Sequence, residues 1–208
     1  MRKYVLSSIL GLSIIAGSLA SAAPAHATII WRNFGSSGFA SPLYLTTSST
    51  QGGNWFIGAL SPLINQNIAF GTSTYPGFVK LVSPYTIASP PGSFNFVSLV
   101  AGVSGGNMSN STPVISWAST TDKNQSWRAD YDFPDINGAS CWTFYDAASP
   151  SNHVFVLSTL GGSMTPGTKT VIYDYLADPY NHPDQFWCKY DHTYDANGHD
   201  VLTPIPYP

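Results

Sequence analysis

From residue 28 onward the chain repeats one pattern: a short run rich in Val, Ile, Thr and aromatics, then a break of Gly, Pro or Asn. TIIWRNF, PLYLTT, NWFIGAL, GFVKLVS, SFNFVSLVA, PVISWAS, SWRADYDF, SCWTFYD, HVFVLST and KTVIYDYLA all fit it. β-Branched and aromatic side chains suit a pleated, half-buried surface, and breaks every ~8 to 15 positions leave room for strands rather than helices. SWRADYDF alternates, with Trp127, Ala129, Tyr131 and Phe133 facing one way and Arg128, Asp130 and Asp132 the other. FNFVSLVA and HVFVLST are almost continuously apolar, as central strands are. The tail LTPIPYP carries Pro at alternate positions and is confined to an edge or a loose end. Together these runs predict an all-β fold, an antiparallel β-sandwich of jelly-roll or Ig-like Greek-key type, as a single domain over residues 28–208.

The first 27 residues read differently. Arg2 and Lys3 precede an apolar stretch from Val5 to Ala20, and small residues follow at cleavage spacing. This is the layout of a secretory signal peptide, cut after Ala27 or after Ala25. The expected localisation is secreted or periplasmic, with no transmembrane segment in the mature chain. In that compartment two cysteines, Cys141 and Cys188, form one disulfide. Their flanks, SCWTFYD and FWCKYD, read as two strands brought together.

Charge narrows the partners. Without Arg2 and Lys3, six basic residues face eleven acids, a net of −5, and every acid is Asp. Nucleic acid needs a basic stripe to displace counterions, and none is present. Polarity comes instead from Ser, Thr, Asn and Gly among many aromatics.

Candidate chemistry is sparse. GVSGG (Gly102–Gly106) matches G-x-S-x-G, but NMSNSTP after it is a poor helix opening, so a glycine-rich turn suits Ser104 better than a nucleophile. Asp130 and Asp132 share one strand face and cannot flank a sugar bond from opposite sides. A cut after Ala25 would expose His26 at the N-terminus, where a copper oxygenase would hold its metal. Asn107, Asn110 and Asn124 open N-x-[ST] triplets, acceptors only in a eukaryotic pathway.

Two stretches carry the candidate site. YDHTYDANGHD contains Asp191, Asp195, Asn197 and Asp200, oxygen donors of the kind calcium takes, around an Asn-Gly pair that marks a hairpin tip. It echoes YDFPDING at 131–138, a similarity that convergent turn chemistry explains first and internal duplication second. YNHPDQFW supplies Tyr180, His182, Gln185 and Trp187 as a rim for a sugar. The function these features support is a secreted, non-catalytic binding protein for an extracellular carbohydrate or cell-surface glycan, calcium-assisted if the Asp-rich loop holds an ion. The alternatives are a membrane-active or surface-assembly β protein and a secreted polysaccharide-active enzyme.

Overall fold

The computed structural model describes residues 28–36, 42–61, 64–89 and 94–208; the segment read as a signal peptide lies outside the described residues. Thirteen strands follow in order: β1 (Thr28–Asn33), β2 (Leu43–Thr46), β3 (Phe56–Ala59), β4 (Ala69–Thr72), β5 (Val79–Ala88), β6 (Phe96–Val103) and β7 (Thr112–Ala118). Then come β8 (Trp127–Pro134), β9 (Ser140–Asp146), β10 (Phe155–Thr159), β11 (Thr170–Asp174), β12 (Trp187–Tyr194) and β13 (Asp200–Pro204). Among the described residues the helical elements are single 3-10 turns.

All pairings are antiparallel, as the alternating runs require, but the two-layer sandwich is not what they build. The strand path β10-β11-β7-β6-β5-β8-β9 is joined end to end by the bridge Val156↔Tyr145. Seven strands therefore close into a barrel, which removes the free edges that the sheets of a sandwich must protect. Alternation along one strand reports which face is buried. It does not report whether the sheet faces a second sheet or its own far side.

From β9 the path continues through β12, β1, β2 and β3. The segment before and into β3 then lodges between β7 and β11. Trp55 N–H donates to the Val114 carbonyl, and Thr170 N–H donates to the Trp55 carbonyl, both at 2.9 Å. Three strands from distant parts of the chain thus meet at one end of the barrel.

A threefold repeat underlies this arrangement. Gln66, Gln125 and Gln185 each end a 3-10 turn: Ile64–Gln66, Lys123–Gln125 and Pro183–Gln185. Each amide clasps the chain just before that turn. Gln66 donates to Ala59 and accepts from Ser61; Gln125 donates to Ala118 and accepts from Thr120; Gln185 donates to Asp174 and accepts from Leu176. Two residues further on stand Ile68, Trp127 and Trp187, all buried. Trp127 and Trp187 donate their indole N–H to Ala101 and Leu157. In the first repeat, where Ile68 stands in place of the tryptophan, Trp31 on β1 donates its indole N–H to the Ile68 carbonyl. Trp55 is also buried and donates to the Ser116 hydroxyl, so each of the four core indoles has its single polar atom bonded, as burial requires.

A hairpin follows each glutamine: β4–β5, β8–β9 and β12–β13. The last pairs only with β12, in keeping with its prolines. β8 carries a bulge between Tyr131 and Phe133, which interrupts the alternation read there. Cys141 on β9 lies directly opposite Cys188 on β12, and the two are disulfide-bonded with Cα atoms 3.9 Å apart.

Candidate functional site

The repeat creates two related clefts. In the second repeat β6 runs into Ser104–Gly106, and in the third β10 runs into Leu160–Gly162. Gly105 and Gly161 sit at φ 62° and 64°, in the left-handed region, although a Cβ on either would meet nothing within 4 Å. Backbone conformation, not space, demands glycine at both places. The turn leaves a floor free of side chains beside the clasping glutamine.

The residue just before each clasped carbonyl faces this floor. It is Trp117 in the second repeat and Tyr173 in the third. Trp117 is 42% exposed, unusual for an indole in a small domain. Opposite it stand Asp122 and Asn124, the latter held by a 2.9 Å hydrogen bond from Nδ2 to the Val103 carbonyl. Opposite Tyr173 stand His182 and Asp184 at the matching positions, with the Ser158 hydroxyl donating to the Asp184 carboxylate. The clefts hold about 340 Å³ and 560 Å³. Each pairs one aromatic face with carboxylate and amide groups, which suits a neutral polar ligand with an apolar ring face. In the first repeat the aromatic position is Gly58, whose Cβ would press on Thr46 Oγ1 at 3.1 Å. Gly58 itself therefore supplies no ring at that position.

The expected rim divides accordingly. Tyr180, His182 and Gln185 do line the third-repeat cleft. Gln185 spends both ends of its amide on backbone, and Trp187 lies in the core with its indole bonded to Leu157. Trp187 is corrected from rim to core: strand alternation turns it inward, and a short aromatic-rich loop read in one dimension hides that. Trp117, Tyr173, Asp122, Asn124 and Asp184 were missed. The signal that could have found them is the pair NQSW and DQFW, sixty residues apart, with NQNI fifty-nine before the first.

The four expected calcium donors are engaged separately. Asp195 Oδ1 accepts the N–H of Asn197 and of His199, which draws its carboxyl pKa below the usual range. Asp200 meets His192 Nε2 at 2.8 Å, Asp191 Oδ1 is buried without a hydrogen-bond partner, and Asn197 lies exposed at the hairpin tip. Among the described residues no three His, Cys, Asp or Glu side chains gather to hold a metal ion. Ser104 opens a Gly-Gly turn leading to a strand rather than a helix, so GVSGG is not a nucleophile elbow.

The barrel, the capping strands and the threefold glutamine clasp define a β-trefoil-like fold. Solved structures agree. ThreeFoil, a designed threefold-symmetric protein, superposes with a TM-score of 0.55 at 20% identity, over 77% of this chain and 96% of its own. A mosquitocidal holotoxin gives 0.55 at 11% identity, and Polyporus squamosus lectin gives 0.52 at 13%. Each covers 86% of this chain, which spans only 22% of the toxin and 61% of the lectin. The lectin structure is of a complex with the epitope Neu5Aca2-6Galb1-4GlcNAc. No protein-family model and no curated protein matches the sequence.

Proposed function

We propose that this chain is a bivalent glycan-binding protein that works outside the cell, with one site in the second-repeat cleft and one in the third. The observation that carries the reading is the repeated placement of Trp117 and Tyr173 over equivalent glycine floors, each opposite a carboxylate. A pyranose presents an apolar C–H face and a ring of hydroxyls, and an aromatic plate facing Asp, Asn or His meets both needs. A lectin of the same fold solved with a glycan supports the capacity of the scaffold. The export-type N-terminus and the Cys141–Cys188 bond support the compartment.

A glycan array, followed by calorimetric titration with the best array sugar, tests this. Two sites per chain are expected. Trp117→Ala and Tyr173→Ala should each leave one, and the double variant none. Chelation of calcium should leave binding unchanged, because the Asp191–Asp200 segment lines neither cleft. Full binding by the double variant would refute the proposal, and a loss of binding with chelator would restore the calcium reading.

A further inference from the structure

The third repeat differs from the others by an insertion. The glutamine clasp spans seven residues from Ala59 to Gln66 and from Ala118 to Gln125, but eleven from Asp174 to Gln185. The extra residues form a self-bonded loop. Asp178 Oδ1 accepts the N–H of Tyr180 and of Asn181, Oδ2 accepts from the Asn181 amide, and the Asp178 carbonyl accepts the N–H of His182. This loop holds Tyr180 out at 88% exposure.

Tyr180 borders two spaces. On one side is the third-repeat cleft. On the other is a groove of about 550 Å³ with a very different lining. Phe34 and Phe133 lie edge to face along it, 5.0 Å between centroids, and Ile136 and Pro179 stand with Tyr180 at its lips. Ile136 is 90% exposed, on the β8–β9 turn. The groove's charged residue, Asp135, has a side chain with no exposed surface. Its Oδ1 accepts from Asn137 and Ala139, and its Oδ2 from Arg32 and Tyr190. No carboxylate oxygen is left for a ligand hydroxyl, so a second sugar would be poorly held there. An alkyl chain needs no such partner.

We infer that the third-repeat site takes an amphipathic glycoside, its sugar in the cleft against Tyr173 and its alkyl aglycone across Tyr180 in the Phe34–Phe133–Ile136 groove. The inference rests on the glycan-binding reading of the cleft and adds the class of ligand. The second repeat, with the short clasp, takes the sugar alone.

The test uses methyl and n-octyl glycosides of galactose, glucose, mannose and N-acetylglucosamine, titrated below micelle-forming concentrations. For the sugar that binds, the octyl form should bind the third-repeat site at least about tenfold more tightly than the methyl form, through the added apolar burial. Trp117→Ala isolates that site. In this background Ile136→Ser, a change at an exposed position, should reduce the octyl advantage several-fold and leave methyl affinity unchanged. Equal affinities for the two forms would overturn the groove's role while sparing the glycan reading. Binding of neither form would overturn both. Octyl binding that survives Tyr173→Ala undiminished would sever groove from cleft and overturn the inference. So would a concentration-dependent dimer in sedimentation that Ile136→Ser abolishes, because the groove would then belong to a second copy.

Discussion

Asp146 shows how far one buried group can shape behaviour. Its side chain is buried at the end of β9, where Oδ1 accepts the Ala148 N–H and Oδ2 has no partner. Burial pushes its carboxyl up to about 7, against the one backbone hydrogen bond that lowers it. The folded protein therefore keeps a proton there that the unfolded chain gives up near the ordinary value of 3.8. Stability from this group is complete below pH 3.8 and is lost as pH rises towards and through 7, by at most about 4 kcal/mol. Urea midpoints of wild type should fall between pH 4 and 8 more steeply than those of Asp146→Asn. Parallel profiles would show that the carboxyl is not the source. Gly198 is a second residue of consequence. It sits at φ 80°, while Asn197 does not take the positive φ that a two-residue Asn-Gly turn needs, because the tip is the longer turn Asp195–His199. Gly198→Val is expected to destabilise the fold by about 1 kcal/mol or more in thermal melts.

At the scale of elements, the two Asp-x-Asn-Gly turns are structural equivalents, not a coincidence of turn residues. In the β8–β9 hairpin Asp135 N–H donates to Ala139, Gly138 N–H to Asp135, and the Asp135 carboxylate caps Asn137 and Ala139. In β12–β13 the same four bonds recur with Asp195, Asn197, Gly198 and His199. Their consequences diverge because their surroundings do. Asp195 is exposed, so Asp195→Ala should change stability little. Asp135 is also the partner of Arg32, whose guanidinium lies over the Tyr190 ring at 4.3 Å in a buried cluster. Asp135→Ala strands that cation and is expected to cost about 3–5 kcal/mol. Chemical denaturation of the two variants side by side separates a turn cap from a buried ion pair; equal losses would contradict the assignment. The ten apolar runs all became strands, because period-two patterning is a local property. β4 escaped notice since AFGT is short, mostly exposed and interrupted by glycine.

For the molecule as a whole, the disulfide ties β9 to β12, the strands through which the closed barrel passes to β1, β2 and β3. Closing a 47-residue separation should contribute about 4 kcal/mol in the chain-entropy account. A Cys141→Ser, Cys188→Ser double variant is expected to be less stable in urea by about 2–4 kcal/mol, with a steeper transition because the denatured chain without its cross-link exposes more surface. The sequence by itself determined the strand runs, the antiparallel sense, the paired cysteines and the Asn-Gly hairpin tip, since each depends on neighbours along the chain or on a single pair. Tertiary structure alone decided that the sheet closes on itself, and it gave the spaced NQNI, NQSW and DQFW their meaning as equivalent clasps. It also placed Trp187 in the core and left Trp117 in the open. The physical reason is that alternation specifies two faces of a strand and no partners. Which face is inside, and which aromatic is left over a cleft, is settled by pairings between residues fifty or more positions apart, such as Trp55 with Val114 and Thr170.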